Sequence, residues 1–155
     1  AMVSYVDMKT LSMKVTRDGE VIRRIPVTTG KEGFVTRSGI KVISNKERTR
    51  LMDAATGGTD PDDPEYYRLE VEYAMRLTNS GEFIHAAPWS LDSQGEESVS
   101  HGCTGMSDED AKWLYERSRI GDVVVYTGSS RKMETWNGIG VWNYSYDEWS
   151  KGSAL

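Results

Sequence analysis

The stretch Leu69-Glu70-Val71-Glu72-Tyr73-Ala74-Met75-Arg76-Leu77 alternates large apolar residues with Glu, Ala and Arg over its whole length. A period of two is the signature of a strand with one face buried. Asn79-Ser80-Gly81 then turns the chain, and Phe83-Ile84-His85-Ala86-Ala87 reads as the partner strand, stopped by Pro88. Upstream the same grammar repeats. Leu11, Met13 and Val15 alternate with polar residues, Asp18-Gly19 supplies a hairpin turn, and Val21 to Thr29 resumes the pattern. Pro26 inside that second run marks an edge strand or a bulge, because proline cannot donate to a ladder.

Further along, Gly30 to Gly39 is a loop, and Ile40, Val42 and Ile43 begin another short strand. Gly57-Gly58-Thr59-Asp60-Pro61-Asp62-Asp63-Pro64 is an acidic loop, whose spacing matches no EF-hand. One helix is expected. Ser107 with Asp108, Glu109 and Asp110 forms a capping start with acids in the first turn. Ala111, Leu114 and Tyr115 mark its inner face, and Gly121-Asp122 closes it. Val123, Val124 and Val125 follow as a buried strand. Trp136, Trp142 and Trp149 lie in the tail after Gly128. The fold class is therefore mainly β, with one main α-helix and a Trp-rich C-terminal extension. The division expected is a domain over 1–127 and an extension over 128–155 packed back on it.

The 155 residues suit one domain, and a chain of that length buries enough surface to need no disulfide. The formal net charge of −5 argues against a nucleic-acid binder, which needs a basic face. No apolar run approaches the length of a membrane span. No signal peptide is visible, and Ala1-Met2 in front of patterned sequence reads as the start of an excised domain, so nothing about export follows.

The only cysteine and both histidines fall between positions 85 and 103: His85, His101 and Cys103. Three readings compete. They could be unrelated core or surface residues. They could be metal ligands joined by Asp92, Glu96 or Glu97, although structural zinc sites usually bring paired ligands from two short knuckles. Or Cys103 could be a nucleophile, since a thiol gains reactivity when an imidazole removes its proton. Gly102 before it permits a tight turn and close substrate approach. Backbone N–H groups at such a turn can face a developing oxyanion. His85 fits the base better than His101, because a strand end holds a side chain more rigidly than a loop two residues from the thiol.

His85 within Phe83-Ile84-His85-Ala86-Ala87-Pro88-Trp89-Ser90, followed by Ser100-His101-Gly102-Cys103, resembles the signature of the L,D-transpeptidase catalytic domain, the YkuD-type fold. Gly140-Val141-Trp142-Asn143 and Asp147-Glu148-Trp149 resemble the C-terminal extension of its actinobacterial branch. The resemblance implies a β-sandwich or barrel-like catalytic domain and an acyltransferase that cross-links peptidoglycan. In such enzymes the thiol attacks the carbonyl between the third residue of a tetrapeptide stem and the terminal D-Ala. D-Ala leaves, and the side-chain amine of a second stem resolves the thioester into a 3→3 link. Carbapenems acylate the same thiol.

By this carry-over Cys103 is nucleophile, His85 general base, and the Ala86 carbonyl orients the imidazole. Ser100, His101 and Gly102 shape the pocket, while the Cys103 amide, helped by Tyr67, holds the oxyanion, with a plain strand-face aromatic as the other reading of Tyr67. Met52 matches a lid-loop methionine, with a plain core position as the other reading, and Trp89 belongs to the substrate-binding set. The implied partners are donor and acceptor stems and carbapenems, with no cofactor, no metal and no nucleic acid. The implied location is the extracytoplasmic envelope, and a monomer is the default. A carboxypeptidase-like hydrolase or a catalytically idle wall-binding module on the same fold are the alternatives. One departure stands out: Thr104 and Gly105 replace the family's hydrophobic residue and asparagine, which bears on substrate preference and β-lactam selectivity.

Overall fold

The computed structural model describes residues 1–133, in two sheets and one α-helix. The strands are β1 (Met2–Asp7), β2 (Ser12–Arg17), β3 (Glu20–Pro26), β4 (Gly39–Val42), β5 (Asn45–Asp53), β6 (Arg68–Arg76), β7 (Phe83–Ala86), β8 (Thr104–Met106) and β9 (Val123–Thr127). The helix α1 spans Asp108–Arg117. The first sheet has the order β3-β2-β1-β9-β4, and the second β5-β6-β7-β8. The mainly β reading with one helix agrees with this architecture. Most of the C-terminal extension, with Trp136, Trp142 and Trp149, lies outside the described residues. No helix among the described residues is long and apolar enough to cross a membrane.

β2 and β3 form the hairpin expected around Asp18-Gly19, and Asp18 takes the positive φ of 51° that the tight turn demands. β3, with Pro26 at its end, is the sheet edge. Sequence reading missed β1 and β5. In β5 the run Lys46-Glu47-Arg48-Thr49-Arg50 carries no apolar alternation, and its partner β6 alone orders it.

The main core lies between the sheets and under α1, where Met13, Ile25, Met75, Ile84, Met106 and Leu114 are fully buried. Each such side chain contributes roughly 1.5–3 kcal/mol by leaving water. The single buried face expected for 69–77 does not hold. Val71 packs in a second, smaller cluster with Met52, Ala74, Phe83 and Cys103, whereas Tyr73 and Met75 pack in the main core. The cause is Tyr73, whose φ of 56° breaks the pleat and switches which side faces the core. One strand thereby supplies side chains to two clusters.

α1 starts as expected, with the Ser107 Oγ accepting from the Asp110 amide at 3.1 Å. It ends at Ser118, earlier than Gly121-Asp122. Ser118 is extended (ψ 151°), and Lys46 Nζ donates to the carbonyls of Tyr115 and Ser118 at 2.6 Å each. A lysine from β5 thus satisfies the C-terminal carbonyls that the helix leaves open.

Candidate active site

The site grows from the parallel pairing of β7 and β8. Their register is Ile84↔Thr104, His85↔Gly105, Ala86↔Met106. Ile84, Ala86 and Met106 point into the main core, so His85 and Gly105 face the other way. Cys103 precedes β8 by one residue and packs with Phe83 in the smaller cluster on that same face. Sequence reading placed Cys103 in a loop leading straight to the helix. The short strand β8 intervenes, and it ties the cysteine to the strand that carries His85.

His85 is 6% exposed, and its Nδ1 donates to the Ala86 carbonyl at 2.7 Å. A carbonyl can only accept, so the proton sits on Nδ1 and Nε2 keeps its lone pair. Burial pushes the imidazole's pKa down, against the Ala86 hydrogen bond that raises it, and favours the neutral ring. Cys103 is 9% exposed. Burial pushes its thiol up to about 12, opposed by the Phe83 backbone and reinforced by Glu82. Its Sγ lies 3.9 Å from the Gly81 carbonyl. A cavity of about 390 Å³ is lined by both His85 and Cys103, with Tyr67, Ser100, His101 and Gly105 around them.

The Ser100-His101-Gly102 turn is held from several sides. Ser100 Oγ donates to the Cys103 carbonyl at 2.6 Å and accepts from the Gly102 amide at 3.1 Å. Gly102 takes φ 121°, which a side chain would resist, and its carbonyl accepts from Thr36 Oγ1 at 2.8 Å. His101 does not join His85. Its Nε2 donates to Glu65 Oε2 at 3.0 Å, and its ring lies between Phe34 and Tyr67, with centroids 4.7 and 4.6 Å away. Lys31 also binds Glu65, at 2.8 Å. Lys31 and then His101 hold that carboxyl below its usual range.

Tyr67 is half-buried at the cavity, and burial first, then Cys103 and Asp53, keeps its phenol protonated. Met52 stands on β5, not on a loop, and packs in the cluster with Cys103. Trp89 is 60% exposed on the turn Pro88–Ser90, its ring centroid 5.9 Å from that of His85. Among the described residues, no three His, Cys, Asp or Glu side chains are grouped to hold a metal ion.

Several residues that shape the site went unread in the sequence. Glu65, Phe34 and Thr36 hold the turn but come from loops without periodicity. Behind Cys103 lies a buried charged group. Lys41 is fully buried and donates to Glu82 Oε1 at 2.8 Å, while Arg37 donates to Oε2 through its backbone amide and guanidinium, each at 3.1 Å. Lys41 Nζ lies 3.8 Å from the Tyr126 ring centroid, and the Tyr126 hydroxyl meets Thr104 Oγ1 at 2.5 Å. Gly105 has no room for a side chain: a Cβ there would stand 2.8 Å from the Ala87 Cβ and 3.2 Å from Thr28 Cγ2.

The family model of the L,D-transpeptidase catalytic domain (YkuD) matches residues 2–125. L,D-transpeptidase 2 of Mycobacterium tuberculosis is 33% identical over 154 residues, covering 99% of this chain and 38% of that protein. Probable L,D-transpeptidase 3 of the same species is 44% identical over 101 residues, covering 65% of this chain and 37% of that protein. The solved structure of an LD transpeptidase in complex with imipenem superposes with a TM-score of 0.81 at 36% identity, covering 82% of this chain and 59% of that one. The chain spans roughly a third to a half of the length of the curated relatives it matches.

Proposed function

The chain belongs to the L,D-transpeptidase catalytic-domain family, and on that premise we propose that it forms 3→3 cross-links between peptidoglycan stem peptides through a thioester on Cys103. The observation that carries this reading is the shared face of β7 and β8. It presents a neutral imidazole with a free Nε2 and the chain's only thiol to one cavity.

The thiol starts protonated, so attack and proton transfer go together. Cys103 Sγ bonds to the carbonyl carbon between the third stem residue and D-Ala, while its proton passes to His85 Nε2. The tetrahedral oxyanion accepts hydrogen bonds from the Cys103 amide and the protonated Tyr67 phenol. When the C–N bond breaks, His85 returns the proton to the departing D-Ala amine. The acceptor amine then attacks the thioester, gives its proton to His85, and the C–S bond breaks. The thiolate recovers a proton from the imidazolium. The Ala86 carbonyl stabilises the imidazolium throughout by holding Nδ1–H. Ser100, His101 and Gly102 fix the turn that carries the thiol, and Trp89 and Met52 border the substrate.

The substrate class places the reaction on the outer side of the cytoplasmic membrane. The relative solved with imipenem supports expecting a carbapenem adduct on Cys103. The test supplies a tetrapeptide stem with and without an acceptor amine. The expected result is D-Ala release with a cross-linked product that grows with acceptor concentration. Release of D-Ala with no cross-link at any acceptor concentration would identify a hydrolase instead, and no release would identify an idle module.

A further inference from the structure

A second cavity, of about 410 Å³, lies beyond Met52, Tyr67 and His101, which line both cavities and so form a shared wall. It reaches the backbone on both sides of the thiol. Gly102 precedes Cys103, and Gly81, whose carbonyl is the neighbour of Sγ, lines it too. Its charge is opposite to that of the chain. Arg37, Arg50, Arg76 and Arg131 line it against only two carboxylates, Asp53 and Glu82, in a protein of formal net charge −5.

Both carboxylates are already engaged. Glu82 is held by Lys41 and Arg37, and Asp53 accepts from the Ala55 amide at 2.9 Å. Arg50 pairs with Glu47 at 2.9 Å. Arg76 is different. Its Nε and one terminal nitrogen donate to the carbonyls of Thr78 and Asn79, both at 3.0 Å. Arg131 likewise donates to the Val35 carbonyl at 3.2 Å. Among the described residues neither forms an ion pair. Arg50 and Arg76 both lie over the Phe83 ring, 5.0 and 5.3 Å from its centroid. Backbone carbonyls thus hold a guanidinium in place without neutralising it, over an apolar floor. That is a preorganised receptor for a planar anion, which a guanidinium binds with two parallel hydrogen bonds.

We propose that this cavity is a carboxylate-binding subsite for a stem peptide, with Arg76 as its main anion ligand and Arg50 beside it. The assignment of a stem peptide rests on the reaction proposed above; the preference for a carboxylate rests on the arginines. The terminal carboxylate could come from the donor, before D-Ala leaves, or from the acceptor.

The test titrates the Cys103→Ala chain, which cannot be acylated, with a stem tetrapeptide bearing a terminal carboxylate and with its carboxamide. Calorimetry should show the acid binding about tenfold tighter, the scale of a hydrogen-bonded charge. The overall negative charge of the protein would give the opposite order. Arg76→Gln with Arg50→Gln should remove the preference, and Arg76→Lys should keep part of it. Equal binding of acid and amide, or a preference that survives the double replacement, overturns the proposal.

In the chain that keeps Cys103, the single acylation event without acceptor, read as release of D-Ala from the acid or of D-alaninamide from the carboxamide, reports the donor, and cross-link yield at fixed donor reports the acceptor. An acid preference in KM that the arginine replacements abolish assigns the subsite to that partner; its absence from both arms also overturns the proposal. A protein that keeps the arginine-dependent acid preference in binding but releases no D-Ala refutes the reaction and leaves the subsite standing.

Discussion

Cys103 and His85 rest as an uncharged pair, because burial raises the thiol pKa to about 12 and lowers that of the imidazole. Two pH effects follow. Alkylation of Cys103 by iodoacetamide should be slow at neutral pH and should still be rising above pH 9, where a solvated thiol has already ionised. The acid limb of acylation should lie below 6.5, because a depressed His85 pKa keeps the base unprotonated until the pH falls further. A pH–rate profile for imipenem acylation checks the second point. His85→Ala should abolish acylation more completely than His101→Ala, since His101 is bound to Glu65 and not aimed at the thiol pair. Gly105 is a packing position. Gly105→Ala forces a Cβ against Ala87 and Thr28 and should destabilise the domain by about 1–3 kcal/mol in urea denaturation. Thr104 bonds Tyr126 behind the site, whereas Gly105 lies so close to Ala87 and Thr28 that only a residue without a Cβ fits.

At the scale of elements, strands are legible where the segment itself carries apolar alternation or is bounded by turn residues. The 12–26 hairpin and the 83–86 strand were legible from alternation and turn residues. The strand reading failed where order depends on a distant partner. β5 reads as polar because its charged run 46–50 shows no apolar alternation, and only the pairing with β6, distant in sequence, orders it. The break at Tyr73 is invisible to periodicity, since both sides of the break keep an apolar residue at every second position. The helix start was readable from its own acids and Ser107. Its end was not, because the carbonyls that the helix leaves open there are met by Lys46, far upstream in sequence. Lys46→Met, which keeps the stem but removes the donor, should lower stability by about 1 kcal/mol through the unsatisfied carbonyls of Tyr115 and Ser118. Chemical denaturation of the two proteins measures it.

At the scale of the molecule, the two sheets are joined by polar contacts as well as by the core. Lys41 of the first sheet meets Glu82, which leads into β7 of the second, and Tyr126 of β9 meets Thr104 of β8. Lys41 stands between Ile40 and Val42 in the short strand β4. Its burial becomes intelligible only when Glu82 and Arg37 are brought to it. Removing the shared acceptor leaves two cations buried, so Glu82→Leu should cost about 3–5 kcal/mol of stability. The candidate catalytic residues were legible because the chain has one cysteine and two histidines. The residues that hold them were not, because Glu65, Thr36 and the arginines of the second cavity act across the fold. Whether Cys103 is the nucleophile and His85 its base is read from the intact mass of the folded protein after incubation with imipenem. One adduct is expected, located on Cys103, absent from Cys103→Ala and strongly slowed in His85→Ala. No adduct on the folded protein, or an adduct that persists in Cys103→Ala, would contradict this assignment.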